Sequence, residues 1–536
     1  MANQGKFKRQ LTLSDLTFIG FGAMFGSGWL FASSHVAAIA GPAGIISWLL
    51  GGGAILLLGL VFSELGAALP RAGAIVRFSV YSHGPLIGYL MGFVTLIAFS
   101  SLIAIEVEAG RQYAASWFPS LTQKGSSLPT VSGWLFQFTL LVIFFALNYW
   151  SVKIFAKSNT LITLFKLIVP TLTIVVLLSQ LKLDNFTVDG FAPFSFSGVQ
   201  SAISTGGIIF AYLGLTPIVS VASETRNPQR TIPIALILSA VLSTIVYLLL
   251  QVAFNGSIPT QMLSHGWAGI ADQFSLPFKD IALVLGIGWL TIFIVSDAII
   301  SPSGTANIYM SATPRVVYGW ARSGTLFHIF TKIDEKSGIP RPALWLTFAL
   351  SVFWTLPFPS WEALVSVVSA ALILSYAITP VSAAAFRKNA AALPRPFYLK
   401  GMAVIGPLSF IIASLIVYWS GWNTISWLLG SQIAMFLIYL LFKRSVPTEK
   451  VSYRQQIKSS LWLIFYYIGQ MVISAFGMFG GNGTFQQPWD VIAVAAISLV
   501  AYYWGIASCL PEAIFDDLED EAEEETALID QTIKLG

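Results

Sequence analysis

Apolar residues fill long stretches of this chain, and short segments rich in polar residues, proline or glycine separate them. Fourteen apolar runs of about 20 residues stand out, at roughly 15–38, 44–67, 86–110, 133–150, 159–181, 199–221, 232–253, 281–311, 342–358, 362–384, 402–420, 423–442, 459–479 and 488–509. A helix of about 20 residues crosses a hydrocarbon core ~30 Å thick. The pattern therefore predicts an all-α integral membrane protein of about 14 transmembrane helices. The run at 281–311 is long for one crossing and predicts a kink or an extension into the cytoplasm.

Two runs are interrupted part-way. In the first, Gly26-Ser27-Gly28 stands between Phe25 and Trp29; in the sixth, Phe210-Ala211-Tyr212-Leu213-Gly214 is followed by Pro217. A helix broken inside the bilayer frees N–H and C=O groups that no water satisfies, so breaks persist only where the backbone lines a cavity. Two broken helices five spans apart mark the midplane site of a secondary transporter. The pattern thus implies movement of a small solute. Because five is odd, spans 1–5 and 6–10 form two halves of opposite topology, and spans 11–14 lie outside that core.

Composition narrows the class. With 536 residues, 56% hydrophobic and 10% charged, the chain is no water-soluble globule. The first run is long, has no clear cleavage pattern and carries the Gly-Ser-Gly break, so it is not read as a cleavable signal. The one cysteine, Cys509, forms no intramolecular disulfide and makes no metal site by itself. No phosphate loop, metal-spaced His/Cys set or nucleophile–base array appears. The expectation is therefore no enzyme, no cofactor, no metal, no nucleic acid and no ATP-driven pumping. Positive charges sort by side: with a cytoplasmic N-terminus, 23 Lys and Arg fall on that face and four (Arg111, Lys124, Lys182, Lys279) on the other. That bias puts both termini in the cytoplasm and makes the number of spans even. The expected organisation is a cytoplasmic N-terminus (1–14), a transport core of spans 1–10 (15–384), spans 11–12 (385–442), a basic cytoplasmic linker (443–458), spans 13–14 (459–509) and an acidic cytoplasmic tail (510–536). The like-charged block from Asp516 to Glu525 reads as a solvated tail or a contact for the basic loops.

Half-helix ends suit an amino acid backbone. The N-terminal end of the outer half of span 1 offers free N–H groups and a positive dipole end to a carboxylate. Gly26 and Gly28 allow close approach, Ser27 adds a hydroxyl, and carbonyls around Phe210, Ala211 and Tyr212 suit an ammonium group. The substrate-lining set is Ala23, Gly26, Ser27, Gly28, Trp29, Glu106, Phe210, Ala211, Tyr212, Leu213 and Gly214. The competing reading makes the glycines a helix-crossing pair, Gly22 with Gly26. Lys166 lies within the fifth run, where a charged lysine costs roughly 2.5–3.5 kcal/mol on insertion scales, so it faces the bundle interior or snorkels to the interface. Glu106 and Glu108 point about 200° apart on a helix. Glu108 has Arg111 at i+3 as a partner, which leaves Glu106 for the site, as a proton or substrate contact or as a structural partner. Asp297, ahead of Ser301-Pro302-Ser303-Gly304, is a candidate partner for Lys166. Lys166, Asp297 and Glu106 are the proton-coupling candidates. Glu64 and Glu224, beside arginines, read as a gate-associated ion-pair network, and His35 as a packing histidine or a proton sensor.

Several motifs resemble the amino acid–polyamine–organocation transporter superfamily. They are Gly26-Ser27-Gly28 with Gly41-Pro42, then Ser63-Glu64-Leu65 with Leu69-Pro70 and Ala72-Gly73. Phe210-Ala211-Tyr212 leads on to Ser223-Glu224, Asn227-Pro228, Arg230 and Ile232-Pro233, and Arg315, Ala321-Arg322, Gly324 and Gly338-Ile339-Pro340-Arg341 complete the set. The resemblance covers roughly residues 10–440. Asn148-Tyr149, Asn159-Thr160, Asp297 to Pro302 and the two extra spans resemble an archaeal and bacterial branch that includes proton-coupled aspartate uptake systems. The resemblance implies a five-plus-five inverted-repeat fold that alternates access around broken helices 1 and 6. It also implies proton coupling with Lys166 as gate or relay, because a lysine similarly placed in span 5 stands in relatives where others bind sodium. Trp29 in place of the usual isoleucine, and Leu213 in place of a common glycine, depart from the pattern and narrow the pocket. The function expected is proton-coupled amino acid uptake across a prokaryotic plasma membrane, with acidic amino acids such as aspartate ahead. The alternatives are a small neutral amino acid, a polyamine exchanger or a transport-inactive sensor. Partners are the amino acid, protons and membrane lipids.

Overall fold

A computed structural model describes residues 10–515 except 151, 335–336 and 443–447, and excludes the side chains of 152–161, 164 and 223. The acidic block from Asp516, the linker residues Lys443 to Pro447, and the side chains of Lys153, Lys157, Asn159, Thr160 and Ser223 therefore lie outside the described residues. Helices account for the whole regular structure there, with two isolated β-bridges, Leu11 to Thr225 and Thr122 to Pro129.

The first half comprises α1 (Leu13–Met24), α2 (Gly28–Ala40), α3 (Gly44–Ala68), α4 (Ala74–His83), α5 (Pro85–Ala114), α6 (Val131–Trp150) and α7 (Val152–Leu178). The second comprises α8 (Ser195–Ser204), α9 (Ile208–Ala211), α10 (Leu215–Ser220), α11 (Pro228–Ser257), α12 (Ile270–Gln273), α13 (Pro277–Val284), α14 (Gly288–Arg322), α15 (Arg341–Trp354) and α16 (Trp361–Asn389). Helices α17 (Met402–Trp419), α18 (Trp422–Leu441), α19 (Tyr453–Phe476) and α20 (Trp489–Ala507) follow. Local chemistry sets several starts. A capping box of Thr12 and Asp15 opens α1, and Pro85 and Pro228 sit at the first turns of α5 and α11, where a missing N–H costs nothing.

Among the described residues, ten helices are long and apolar enough to cross a membrane, with α2 and α3 taken as one run; the bent pair Ser195–Ser204 and Ile208–Ser220 makes eleven. The protein is thus a multi-pass membrane protein. The most apolar windows of α5 and α16 are 89% and 94% buried against 28% for α6, which makes α5 and α16 the centre and α6 part of the rim. A helix apolar all round belongs inside the bundle.

Three boundaries differ from the hydropathy pattern. The long run at 281–311 is two helices: α13 ends at Val284, the chain turns at Gly286 (φ +74), and α14 runs on to Arg322 with Pro302 and Pro314 inside it. The sixth run breaks earlier than its sequence indicated, at Thr205–Gly207, where the halves bend by 40°, and again at Tyr212–Gly214. Gly207 (φ +89) takes a backbone conformation that a side chain would strain. Helix α4, buried at the end of the bundle that carries the N-terminus, falls in no apolar run because it is short and holds Arg77 and His83.

Ion pairs fasten both ends. At the N-terminal end Glu64 takes Arg387 at 2.6 Å, Arg395 at 3.5 Å and the Leu399 N–H at 2.8 Å. Glu224 takes Arg315 at 2.6 Å, while its carbonyl accepts the N–H groups of Gln10 and Leu11. At the other end Arg111 and Glu108, both fully buried, pair at 2.9 Å, as their spacing indicated. The same guanidinium donates to Thr122 Oγ1 and the Ser127 carbonyl. Arg111→Ala strands a buried carboxylate, so stability falls by about 3–5 kcal/mol. A thermal-shift assay in detergent checks this, and the double change Glu108→Leu with Arg111→Met is expected to recover most of the loss.

Candidate functional site

Helix α1 stops at Met24 and α2 starts at Gly28, so four carbonyls and four N–H groups lose their intrahelical partners near one point. Charged side chains take some of them. Glu106, from buried α5, accepts the Ser27 N–H at 2.8 Å. Lys166, from α7, donates to the Gly22 carbonyl at 2.6 Å and to Thr305 Oγ1 at 2.7 Å, and Thr305 donates to the same carbonyl at 2.8 Å. A carboxylate thus sits at the positive end of α2 and an amine at the negative end of α1, each where the helix dipole favours it. The lysine is fully buried and aimed inward, which removes the snorkelling alternative. Gly304 makes room for it: a Cβ there would lie 3.0 Å from Lys166 Cε.

Glycines bring the breaks together. A Cβ on Gly28 would lie 2.7 Å from Ala211 Cβ and 2.9 Å from Ala211 Cα, and one on Gly214 would lie 2.8 Å from the Gly20 carbonyl. A Cβ on Gly26 would meet the Glu106 carboxylate and lie 2.7 Å from Thr305 Oγ1. Close approach of the two breaks is therefore what these glycines allow. Gly28→Ala forces α2 away from Ala211 and costs about 1–3 kcal/mol by overpacking, despite the better helix propensity of alanine. A tenfold or larger loss of transport with normal expression is the expected result, read by uptake into vesicles.

Other backbone groups at the breaks differ in how far they are satisfied. The N–H groups of Gly26, Gly28 and Trp29 meet no acceptor among the described residues, nor do the carbonyls of Phe25 and Tyr212 meet a donor. The Tyr247 hydroxyl lies 2.7 Å from the Met24 carbonyl and 3.1 Å from the Ala211 carbonyl, with one proton to give between them. Tyr309 donates to the Leu213 carbonyl, and Tyr212 to the Trp48 carbonyl. Ala23 is buried beside the break. Free N–H groups, free carbonyls, one amine and one carboxylate are the chemical complement of a zwitterion.

Most of the chain matches known proteins. Residues 11–446 match the amino acid permease family. This chain belongs to the amino acid permease family. The permease is 60% identical to the aspartate-proton symporter of Bacillus subtilis, over 96% of this chain and 99% of that one. It is 38% identical to the glutamate/serine transporter AimA of the same organism, over 93% and 94%. It is 26% identical to the branched-chain amino acid permease BcaP, also from Bacillus subtilis, over 83% and 95%. An all-helical membrane protein of this family has the inverted-repeat transporter fold.

The candidates approach one another to different degrees. Asp297 accepts the Ser301 hydroxyl, at 2.9 Å to either oxygen, and feels the charge of Lys166, though among the described residues no ion pair joins the two. Eight residues separate it from Thr305, about 12 Å along α14, and Lys166 reaches Thr305 instead. Trp29 stacks with Phe25 and packs on Phe278, and its buried indole N–H is directed to Asp297 without a well-formed hydrogen bond. Conversely, Tyr247, Thr305, Gly207 and Trp361 meet the two breaks directly, although the sequence pattern does not single them out. Thr305 follows the Ser-Pro-Ser-Gly stretch directly and was within reach of a reading centred on that weak point. Tyr247 is uncharged within an apolar run, and Trp361, between Ser360 and Glu362, is one of 17 tryptophans, so the pattern contains no signal for either.

Proposed function

We propose that this permease carries an amino acid into the cell together with protons by alternating access, with aspartate the first substrate and glutamate the next. The observation that carries the reading is Lys166 seated on the Gly22 carbonyl beside Glu106, which puts a proton-exchanging amine against the break itself. The name of the 60% identical relative, an aspartate-proton symporter, supports both the substrate and the coupling ion.

In this reading the N–H groups of Gly26 and Gly28 with the Ser27 hydroxyl hold the substrate carboxylate, while the Tyr212 carbonyl and the second lone pairs of Phe210 and Ala211 hold its ammonium. Glu106 and Lys166 exchange the coupling proton, and Asp297 supplies a second carboxylate farther along α14. The lysine occupies by charge and volume the place a sodium ion would need. Fourteen passes with both termini in the cytoplasm of a prokaryotic cell follow from the sorting of positive charges. The test is a labelled panel of aspartate, glutamate, serine, leucine and a polyamine, offered to proteoliposomes in sodium-free buffer. Accumulation of aspartate above all others is expected, and preference for leucine or the polyamine refutes the substrate.

A further inference from the structure

We propose that Trp361 is the lid of the amino acid site, and that its indole N–H, seated on Ser27, ties closure of the lid to the substrate carboxylate. The inference rests on the reading that Ser27 and the start of α2 take that carboxylate. Trp361 is the first residue of α16 and is fully buried. It follows Pro359, whose carbonyl accepts Arg111 Nη2 at 3.4 Å, so it stands at the end of the bundle away from the N-terminus, the outer end in the orientation proposed.

One ring spans both breaks. On the α2 side it stacks on Phe31 at 4.9 Å and on His35 at 5.5 Å. On the other it meets Phe210 edge-on at 5.7 Å and covers Gly207, where a Cβ would lie 2.8 Å from the indole. Its N–H donates to Ser27 Oγ at 2.9 Å. A side chain at residue 207 would displace the ring, so the glycine that opens the break also seats the lid.

Hydrogen-bond bookkeeping at Ser27 supplies the coupling. The Ser27 N–H is taken by Glu106, and Ser27 Oγ accepts from Trp361. The hydroxyl proton is left to donate, shared with the neighbouring Glu106 carboxylate until a substrate carboxylate adds a second acceptor. When it points to a carboxylate, Oγ becomes a stronger acceptor, because chains of hydrogen bonds polarise one another. Substrate therefore strengthens the bond that holds the lid down. An amine without a carboxylate fills the ammonium end of the site and leaves the lid loose, which makes occlusion selective for amino acids over decarboxylated amines.

The test is a double-mutant cycle on Trp361→Phe and Ser27→Ala. KM and maximal rate come from proteoliposomes, and Kd from calorimetry on purified protein where uptake is too slow. Phenylalanine keeps the ring and removes the N–H. The expected result is a KM raised about tenfold in Trp361→Phe, the loss of one buried hydrogen bond, with no further rise beyond about twofold when Ser27 is already alanine. A merely packing role gives the same factor in both backgrounds and overturns the proposal, as does a Trp361→Phe KM within about twofold of the parent. Melting temperatures are read alongside, and Trp361→Tyr replaces Trp361→Phe if the latter does not fold. The cycle uses whichever amino acid the unmodified protein accumulates, so a wrong substrate assignment fails separately.

Discussion

Lys166→Ala abolishes proton-driven accumulation, by on the order of 100-fold, while leaving exchange of one amino acid for another measurable. The amine has two partners, the Gly22 carbonyl in the last turn of α1 and Thr305 of α14, so it ties the end of α1 at the break to α7 and α14. Removing it leaves the Glu106 carboxylate buried without a cation, and an uncompensated buried charge costs about 3 kcal/mol or more, the equivalent of about 100-fold. Net uptake needs a group that gains and loses a proton once per cycle. Exchange does not, because the protein returns with substrate bound. Counterflow in Lys166→Ala proteoliposomes, compared with gradient-driven uptake in the same preparation, separates the two. Loss of both to the same degree makes Lys166 a structural residue only.

Glu106 divides by a pair of variants. Glu106→Ala removes both the charge facing Lys166 and the acceptor of the Ser27 N–H, and is expected to lose substrate binding and transport together, by about 100-fold or more. Glu106→Gln keeps an acceptor for Ser27 and loses the charge. Its expected behaviour is aspartate binding within about threefold of the parent, the worth of a fraction of 1 kcal/mol, with accumulation against a gradient gone. Calorimetry on detergent-purified protein reads the first property, and uptake the second. A Gln variant that still accumulates aspartate with unchanged pH dependence restricts Glu106 to holding the start of α2.

Much of this site was legible because charge and small size are rare inside apolar runs. Gly26-Ser27-Gly28 interrupts a run, Lys166 is a cation within another, and the 100° step per residue separates Glu106 from Glu108 before any coordinates are consulted. The same logic explains the misses. Hydropathy averages over a window, so it joins α13 to α14 across the turn at Gly286 and overlooks α4. The break at Gly206-Gly207 looks like packing glycine until Trp361 is seen lying on it. Asp297 has the charge and the depth expected of a partner for Lys166, yet the pitch of α14 puts Thr305 at the amine and leaves Asp297 to act on it from beyond ion-pair distance. Tyr247 and Trp361 act through one hydroxyl and one indole N–H delivered by tertiary packing, which residue type alone does not announce.

In the proposed function amino acid entry and proton entry are one event at the break held by Lys166. Sodium-free proteoliposomes loaded with a pH-sensitive dye, given aspartate outside with no pre-set proton gradient, test this coupling. Aspartate entry is expected to acidify the interior in the unmodified protein, and Lys166→Ala to show no acidification. Aspartate entry without acidification, or acidification that persists in Lys166→Ala, would contradict it.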